Sequence, residues 1–355
     1  MHNSFKYLIP AALALTLAAC GGSSSSSGSS AAADYSGKKT PASFDTLKED
    51  QKQAVGKDSA RVIYEAANFG DADDMLGDLP LSAEFQSSSI LQGKAKSTLN
   101  EVLAKAKQAK AQDSTLSQLP VAATEIWNEG CSDGGRTSLT MDFNENTNTS
   151  VITLTDKNCK EVDDYDDSYF LSNGTVVATI KYSDTAAKVR VEFKNYTNEE
   201  YYEGKKETST FSGFYQVSGL SFTEPEDDLN FDGIDYKAEW NLYGTVNGKS
   251  VSTKGSMSCN ANGCTLGTTV QTEDGKVYKV EDFKVTTKPN GEPNTIKGKI
   301  YHPDHGYYTF EAKINYMCDD DEKSPFTGTA TFKDESGNTL QYASQACGNE
   351  PSIIF

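Results

Sequence analysis

Residues 188–196 read "KVRVEFKNY" and set Val189, Val191 and Phe193 on one face, with Lys188, Arg190, Glu192 and Lys194 on the other. A period of two, with one apolar face, is the mark of a half-buried β-strand. The same alternation recurs from about residue 131 onward, punctuated by turn signals. These are "SDTA" at 183, "VNGK" at 246, "EDGK" at 273, "HPDHG" at 302 and "ESGN" at 335. Asn-Gly and Asp-Gly between alternating runs favour two-residue hairpin turns, because both can adopt positive φ. The pattern implies roughly a dozen strands joined by short turns. The expected fold is mainly β with a small N-terminal helical region. Its antiparallel meander closes as a barrel, packs as a sandwich or extends as a sheet.

Upstream, residues 41–128 carry helical periodicity. Pro41 suits a first helical position, and Phe44, Leu47, Ala54 and Val55 follow on one face. Gly56 reads as an interruption, after which Val62, Ile63, Ala66 and Ala67 resume the stripe as far as Gly70. A second helix is expected at Thr98-Leu99-Asn100-Glu101, a capping-box pattern, with Leu99, Val102, Leu103 and Ala106 as its apolar face. Residues 129–355 form the β domain in this reading.

Seven cysteines are present: Cys20, Cys131, Cys159, Cys259, Cys264, Cys318 and Cys347. Cys20 stands apart near the N-terminus. The other six permit three disulfides in 15 pairings. Cys131–Cys159 and Cys318–Cys347 each bracket two β-like runs and a turn. Cys259–Cys264 brackets the turn sequence "NANG". Three local bridges, each clamping a hairpin, are the preferred arrangement. The first and last intervals share acidic starts and Thr-rich hairpins, which reads equally as a weak repeat or as two unrelated hairpins.

The N-terminus is an address. Met1–Tyr7 hold one Lys and no acid, and Leu8–Ala19 are apolar apart from Thr16. That run is shorter than a spanning helix and suits an export signal over residues 1–19. The quartet Leu17-Ala18-Ala19-Cys20 closing it resembles the lipobox of bacterial lipoproteins. The resemblance implies cleavage before Cys20 and acylation of its sulfur and its new amine. Gly21, rather than Asp, at the following position implies the Gram-negative outer membrane. Several acyl chains anchor firmly, at about 0.8 kcal/mol per buried CH₂. The Gly, Ser and Ala that follow read as a flexible linker over 20–40.

Composition narrows the partners. The chain has 33 Lys and Arg against 51 Asp and Glu, a formal charge of −18, and only Arg61, Arg136 and Arg190 as arginines. Nucleic-acid binding needs clustered cations, so it is excluded as an expectation. The membrane, through the N-terminal lipid, is an expected partner, and so is a protein or a glycan. The terminal "SIIF" resembles the closing strand of an outer-membrane barrel. "GKSVSTKGSMS" nevertheless offers no apolar band for lipid.

Catalytic signals are thin. No G-x-S-x-G elbow and no Gly-rich phosphate loop occurs, so no catalytic residue is assigned. "DDLNFDGIDYKAE" matches the EF-hand loop pattern. The resemblance implies calcium ligation by Asp228, Asn230, Asp232, the Ile234 carbonyl and a bidentate Glu239. Its strand-like flanks favour an acidic hairpin loop instead. Calcium there would be structural, and no cofactor is required. His302, Asp304 and His305 in "YHPDHGYY" contain zinc-ligand types, set among ordinary turn residues. Acidic runs at Asp163–Asp167 and Asp319–Glu322 read as solvated loops. The reading that results is an outer-membrane lipoprotein with a non-catalytic binding, assembly or adhesion role. A periplasmic carrier of lipid or small ligand, or an envelope hydrolase acting on glycan or lipid, stands as the alternative.

Overall fold

The computed structural model describes residues 31–67, 124–144, 146–162, 168–183, 186–202, 204–221, 235–260, 263–287, 293–318 and 323–355. A short 3-10 turn, Phe44–Thr46, precedes the helix α1 (Glu49–Ala67). Strands follow in the order β1 (Thr124–Gly130), β2 (Arg136–Asn144), β3 (Thr149–Val162), β4 (Tyr169–Tyr182) and β5 (Ala186–Tyr202). Next come β6 (Lys205–Ser221), β7 (Tyr236–Val246), β8 (Lys249–Asn260), β9 (Gly263–Gln271) and β10 (Val277–Thr287). The last are β11 (Pro293–His302), β12 (Gly306–Met317), β13 (Phe326–Lys333), β14 (Thr339–Ser344) and β15 (Ser352–Ile354).

The fifteen strands make one sheet in sequence order, every neighbour antiparallel. Of the architectures compatible with the alternation, the chain adopts the extended sheet. Asn247 and Gly248, with φ of 49° and 80°, make the β7–β8 turn that their sequence promised. In "KVRVEFKNY", Val189, Val191 and Phe193 lie in the core, as their spacing requires.

The second half of this sheet is rolled. Helix α1 touches β9, β10, β11, β13, β14 and β15. Laid flat, β10 and β15 would sit roughly 24 Å from one another, whereas Asp58 meets Tyr278 of β10 and Gly56, two residues away and on nearly the opposite side of the helix, meets Ile353 of β15. The sheet therefore bends around α1. Val55, Ala60, Ile63 and Ala66 are buried on its inner stripe and share one apolar cluster with the strands, and Ser59 is buried beside them.

Two local expectations are corrected here. Gly56 does not interrupt the helix, which runs unbroken to Ala67. A Cβ at Gly56 would stand 2.7 Å from Ile353, so the glycine is the point where α1 approaches β15. Pro41 is not a first helical residue either: it bridges to Tyr307 in parallel, and α1 starts at Glu49. The expected helix at Thr98–Ala106 lies outside the described residues.

Residues 31–40, read as linker, are laid along the outside of the sheet. The Ala32 N–H donates to Asn241 Oδ1 (3.3 Å), and the Ala33 N–H to Ser252 Oγ (2.9 Å). The Lys38 N–H donates to the Pro303 carbonyl, and Tyr307 and Thr40 pair at 3.0 Å. At Gly306, with φ of +91°, a Cβ would fall 2.2 Å from the Thr40 carbonyl, so only glycine lets this strap pass.

A crease crosses the longer strands. Asn158, Gly174, Asn195 and Gly213, in β3, β4, β5 and β6, all have positive φ. Register shifts accompany them at Asp156/Cys159, Asn173/Thr175 and Phe193/Tyr196. Bulges of this kind bend a strand and raise its twist. The three local disulfides are present, with Cα–Cα distances of 5.3, 4.0 and 5.5 Å for Cys131–Cys159, Cys259–Cys264 and Cys318–Cys347.

Candidate functional site

An open groove of about 520 Å³ lies on the face of β6–β10 turned away from the core. Its origin is local. Gly267 points outward from β9 with no side chain to fill the space; the nearest atom to an added Cβ is the Val280 carbonyl oxygen at 3.8 Å. Opposite it, β10 shifts register between Val280 and Phe283, and Asp282 takes φ of 53°. The missing side chain and the bulge together open the surface. Beneath lies Trp240, whose ring occupies the room that Gly255 leaves: a Cβ at Gly255 would sit 2.6 Å from Trp240 Cζ2.

Charges on the groove are already matched. Lys279 pairs with Glu281 on its own strand, and Lys254 with Asp34 of the strap. Gln216 Nε2 donates to Glu239 Oε2 at 3.4 Å. The lysine ammonium, helped by Tyr301, holds the Glu281 carboxyl below the usual range. Asn241, Ser256 and Thr269 add neutral hydrogen-bonding groups.

Glu239 is the single member of the EF-like loop whose side chain is described; Asp228, Asn230, Asp232 and Ile234 lie outside the described residues. The chain after the loop is strand, not helix: Tyr236 and Ala238 point into the core while Lys237 and Glu239 point out. An EF-hand requires an exit helix at this place.

His302 serves the helix. His302 is buried, and its Nδ1 accepts from the Asp304 N–H at 3.2 Å. That leaves Nε2 facing Asp58 Oδ2 of α1 at 3.6 Å. Tyr278 OH donates to the same oxygen at 3.0 Å, and Lys276 Nζ stands 3.6 Å from it. Burial pushes the Asp58 carboxyl up; His302, Lys276 and Tyr278 outweigh it and hold it below the usual range. Burial, then the nearby His302, pushes His305 down. Among the described residues, the one cluster of three metal-ligand types is Cys131, Cys159 and Glu161, and its two sulfurs are joined in a disulfide.

The Asp58 contact has a measurable consequence. A carboxyl depressed by folding adds stability that is present above its unfolded value of about 3.9 and is lost as pH falls through the folded value. Asp58→Asn should therefore lower the urea midpoint at pH 7 and flatten its decline below about pH 4. Parallel midpoint-versus-pH curves for the two proteins would refute this role.

The groove was not visible in the sequence. Gly267 and the Glu281–Asp282 bulge belong to no motif, and their pairing depends on register. Comparison with known proteins returns no match: no family model, no curated protein and no solved structure resembles this chain.

Proposed function

We propose that this chain is a lipid-anchored protein of the Gram-negative outer membrane, held through Cys20, which binds a saccharide chain in the groove of β6–β10 without catalysis. The groove carries the reading. Its volume falls within the range of small-ligand sites, roughly 300–1,000 Å³. Lys254, Lys279, Glu239 and Glu281 already have partners, so the surface offers hydrogen bonds without a net sign. Such a surface suits a neutral, hydroxyl-rich ligand better than an ion. The inside of the rolled half is packed with α1, which weighs against a carrier that holds lipid there. The strap ends beside the groove at Asn241 and Lys254. Ala31 is 11 residues from Cys20, a reach of at most about 36–40 Å. The anchor thus keeps the groove close to the membrane.

Membranes from cells expressing the full chain, applied to an array of envelope and host glycans, test both parts. Gly267→Leu fills open space on a strand surface, where glycine is itself unfavourable. It should leave the protein folded and membrane-bound while weakening glycan capture at least about tenfold, roughly 1.4 kcal/mol. Cys20→Ser should move the protein to the soluble fraction. Undiminished capture by Gly267→Leu would remove the groove from the account, and a membrane-bound Cys20→Ser would remove the anchor.

A further inference from the structure

The strap is held in two different ways. From Tyr35 onward it is built into the fold through backbone and core. Tyr35 OH donates to the Lys38 carbonyl at 2.7 Å and stands 3.1 Å from the His302 carbonyl. A Cβ at Gly37 would fall 2.6 Å from Pro303 Cα, so the chain lies hard against the β11–β12 turn. The Tyr307 N–H donates to the Thr40 carbonyl at 3.0 Å, and the Ala42 N–H to the Tyr307 carbonyl at 2.8 Å. Phe44 then enters the core, and its N–H donates to Asp334 Oδ2 at 2.8 Å.

Residues 32–34 are held by side chains of the sheet instead. Asn241 Oδ1 takes the Ala32 N–H, and Ser252 Oγ takes the Ala33 N–H. Lys254 Nζ donates to the Ala32 carbonyl at 3.4 Å and pairs with Asp34. Asn241 and Lys254 lie directly opposite each other on β7 and β8, and both line the groove. Ala32, itself buried, therefore sits on two of the groove's polar groups. The Asp34 side chain is 92% exposed. An ion pair so exposed contributes little and is screened by salt. Residues 32–34 are thus the weakly held part of the strap, and they rest on side chains that the groove would offer to a ligand.

We propose that residues 32–34 are an autoinhibitory latch, occupying Asn241 and Lys254 until a saccharide entering the groove releases them. The latch rests on the saccharide reading of the groove. Release leaves Tyr35 to Phe44 in place, so it lengthens the tether toward Cys20 by three residues, at most about 10–11 Å. Linkage makes the effect reciprocal: whatever frees the latch tightens saccharide binding, and bound saccharide frees the latch. A latch closed about 70–90% of the time hides that share of the grooves, so freeing it raises the apparent affinity about three- to tenfold.

The test uses the full chain in detergent and two variants that leave every groove side chain intact. Ala33→Pro removes the N–H that Ser252 accepts, and Asp34→Asn removes the charge that Lys254 holds. Amide exchange comes first and needs no saccharide. The Ala32 and Ala33 amides should exchange at least about tenfold faster than those of Ala42 and Phe44. Equal protection of the two sets overturns the latch and leaves the groove reading untouched. The glycan array then serves as the probe. Both variants should capture its glycans about three- to tenfold more tightly than the wild type, with unchanged melting temperatures. Capture by the variants alone would also support the latch, as a strongly closed one. If the wild type captures a glycan, Gly267→Leu loses it and both latch variants bind no better than the wild type, the latch is overturned while the groove stands. If no protein captures any glycan, the groove reading falls and the latch falls with it.

Discussion

Trp240→Ala is expected to destabilise the fold by about 3–5 kcal/mol, the range for truncating a large buried aromatic side chain. The indole is 2% exposed and lies on the core face of β7. It stands directly opposite Gly255 on β8 and covers the backbone that this glycine leaves bare. Neither neighbour can close the hole. Gly255 has no side chain, and a residue larger than glycine there would meet the Gly267 carbonyl at 2.4 Å. The indole N–H also donates to Thr253 Oγ1 at 3.1 Å, and Thr253 is fully buried. Trp240→Phe keeps most of the volume but strands that hydroxyl, so it should cost about 1–3 kcal/mol. Adding Thr253→Val removes the stranded group and should recover part of the loss. Urea titration of the wild type, Trp240→Phe, Thr253→Val and the double variant gives the coupling. Strict additivity would show that the Trp240–Thr253 bond contributes nothing, and a loss below 1 kcal/mol for Trp240→Ala would show that the strands collapse to fill the space. Because Trp240 floors the groove, glycan capture should fall along with stability in Trp240→Ala.

The sequence states some of this architecture and is mute on the rest, for physical reasons. Alternation in "KVRVEFKNY" and turns such as Asn247-Gly248 depend on neighbouring residues alone, so strands and hairpins are legible. Local disulfides are legible for the same reason, since each bridges the foot of one hairpin. Alternation is identical in a barrel, a sandwich and an open sheet, so closure is not legible. Gly56 looks like a helix breaker until Ile353, nearly 300 residues away, is placed against it. Asn158 and Asn195 read as ordinary polar strand residues, yet their left-handed backbone creases the sheet. Asp156 follows Leu154 by two in "LTDKNC", so the alternation of β3 carries it onto the core face although it is an acid. Gly267 is likewise silent, because a glycine makes a groove only when its register neighbours leave the space open.

Removing the Cys318–Cys347 bridge by a double substitution to alanine should cost about 3–4 kcal/mol, from the chain-entropy relation for a closed loop of 29 residues. Cys131–Cys159 closes a loop of nearly equal length, 28 residues, and should cost as much; Cys259–Cys264 closes five and should cost about 2 kcal/mol. Equal totals hide unequal places. The Cys318 carbonyl accepts from Tyr64 OH of α1 at 3.0 Å, and the Cys347 carbonyl accepts from the Ser324 N–H at 3.0 Å. Just beyond, Lys57 of α1 pairs with Glu350 at 3.0 Å, an exposed contact that adds little. Losing this bridge frees the segment that seats the helix as well as the β13–β14 hairpin. Amide exchange should therefore speed up in α1 and β13–β15 when Cys318 and Cys347 are replaced. It should speed up in β2 and β3, with α1 still protected, when Cys131 and Cys159 are replaced. If α1 exchanges equally fast in both variants, the two halves of the sheet unfold as one unit, and the helix is held by the roll of the strands rather than by the clamp at their end.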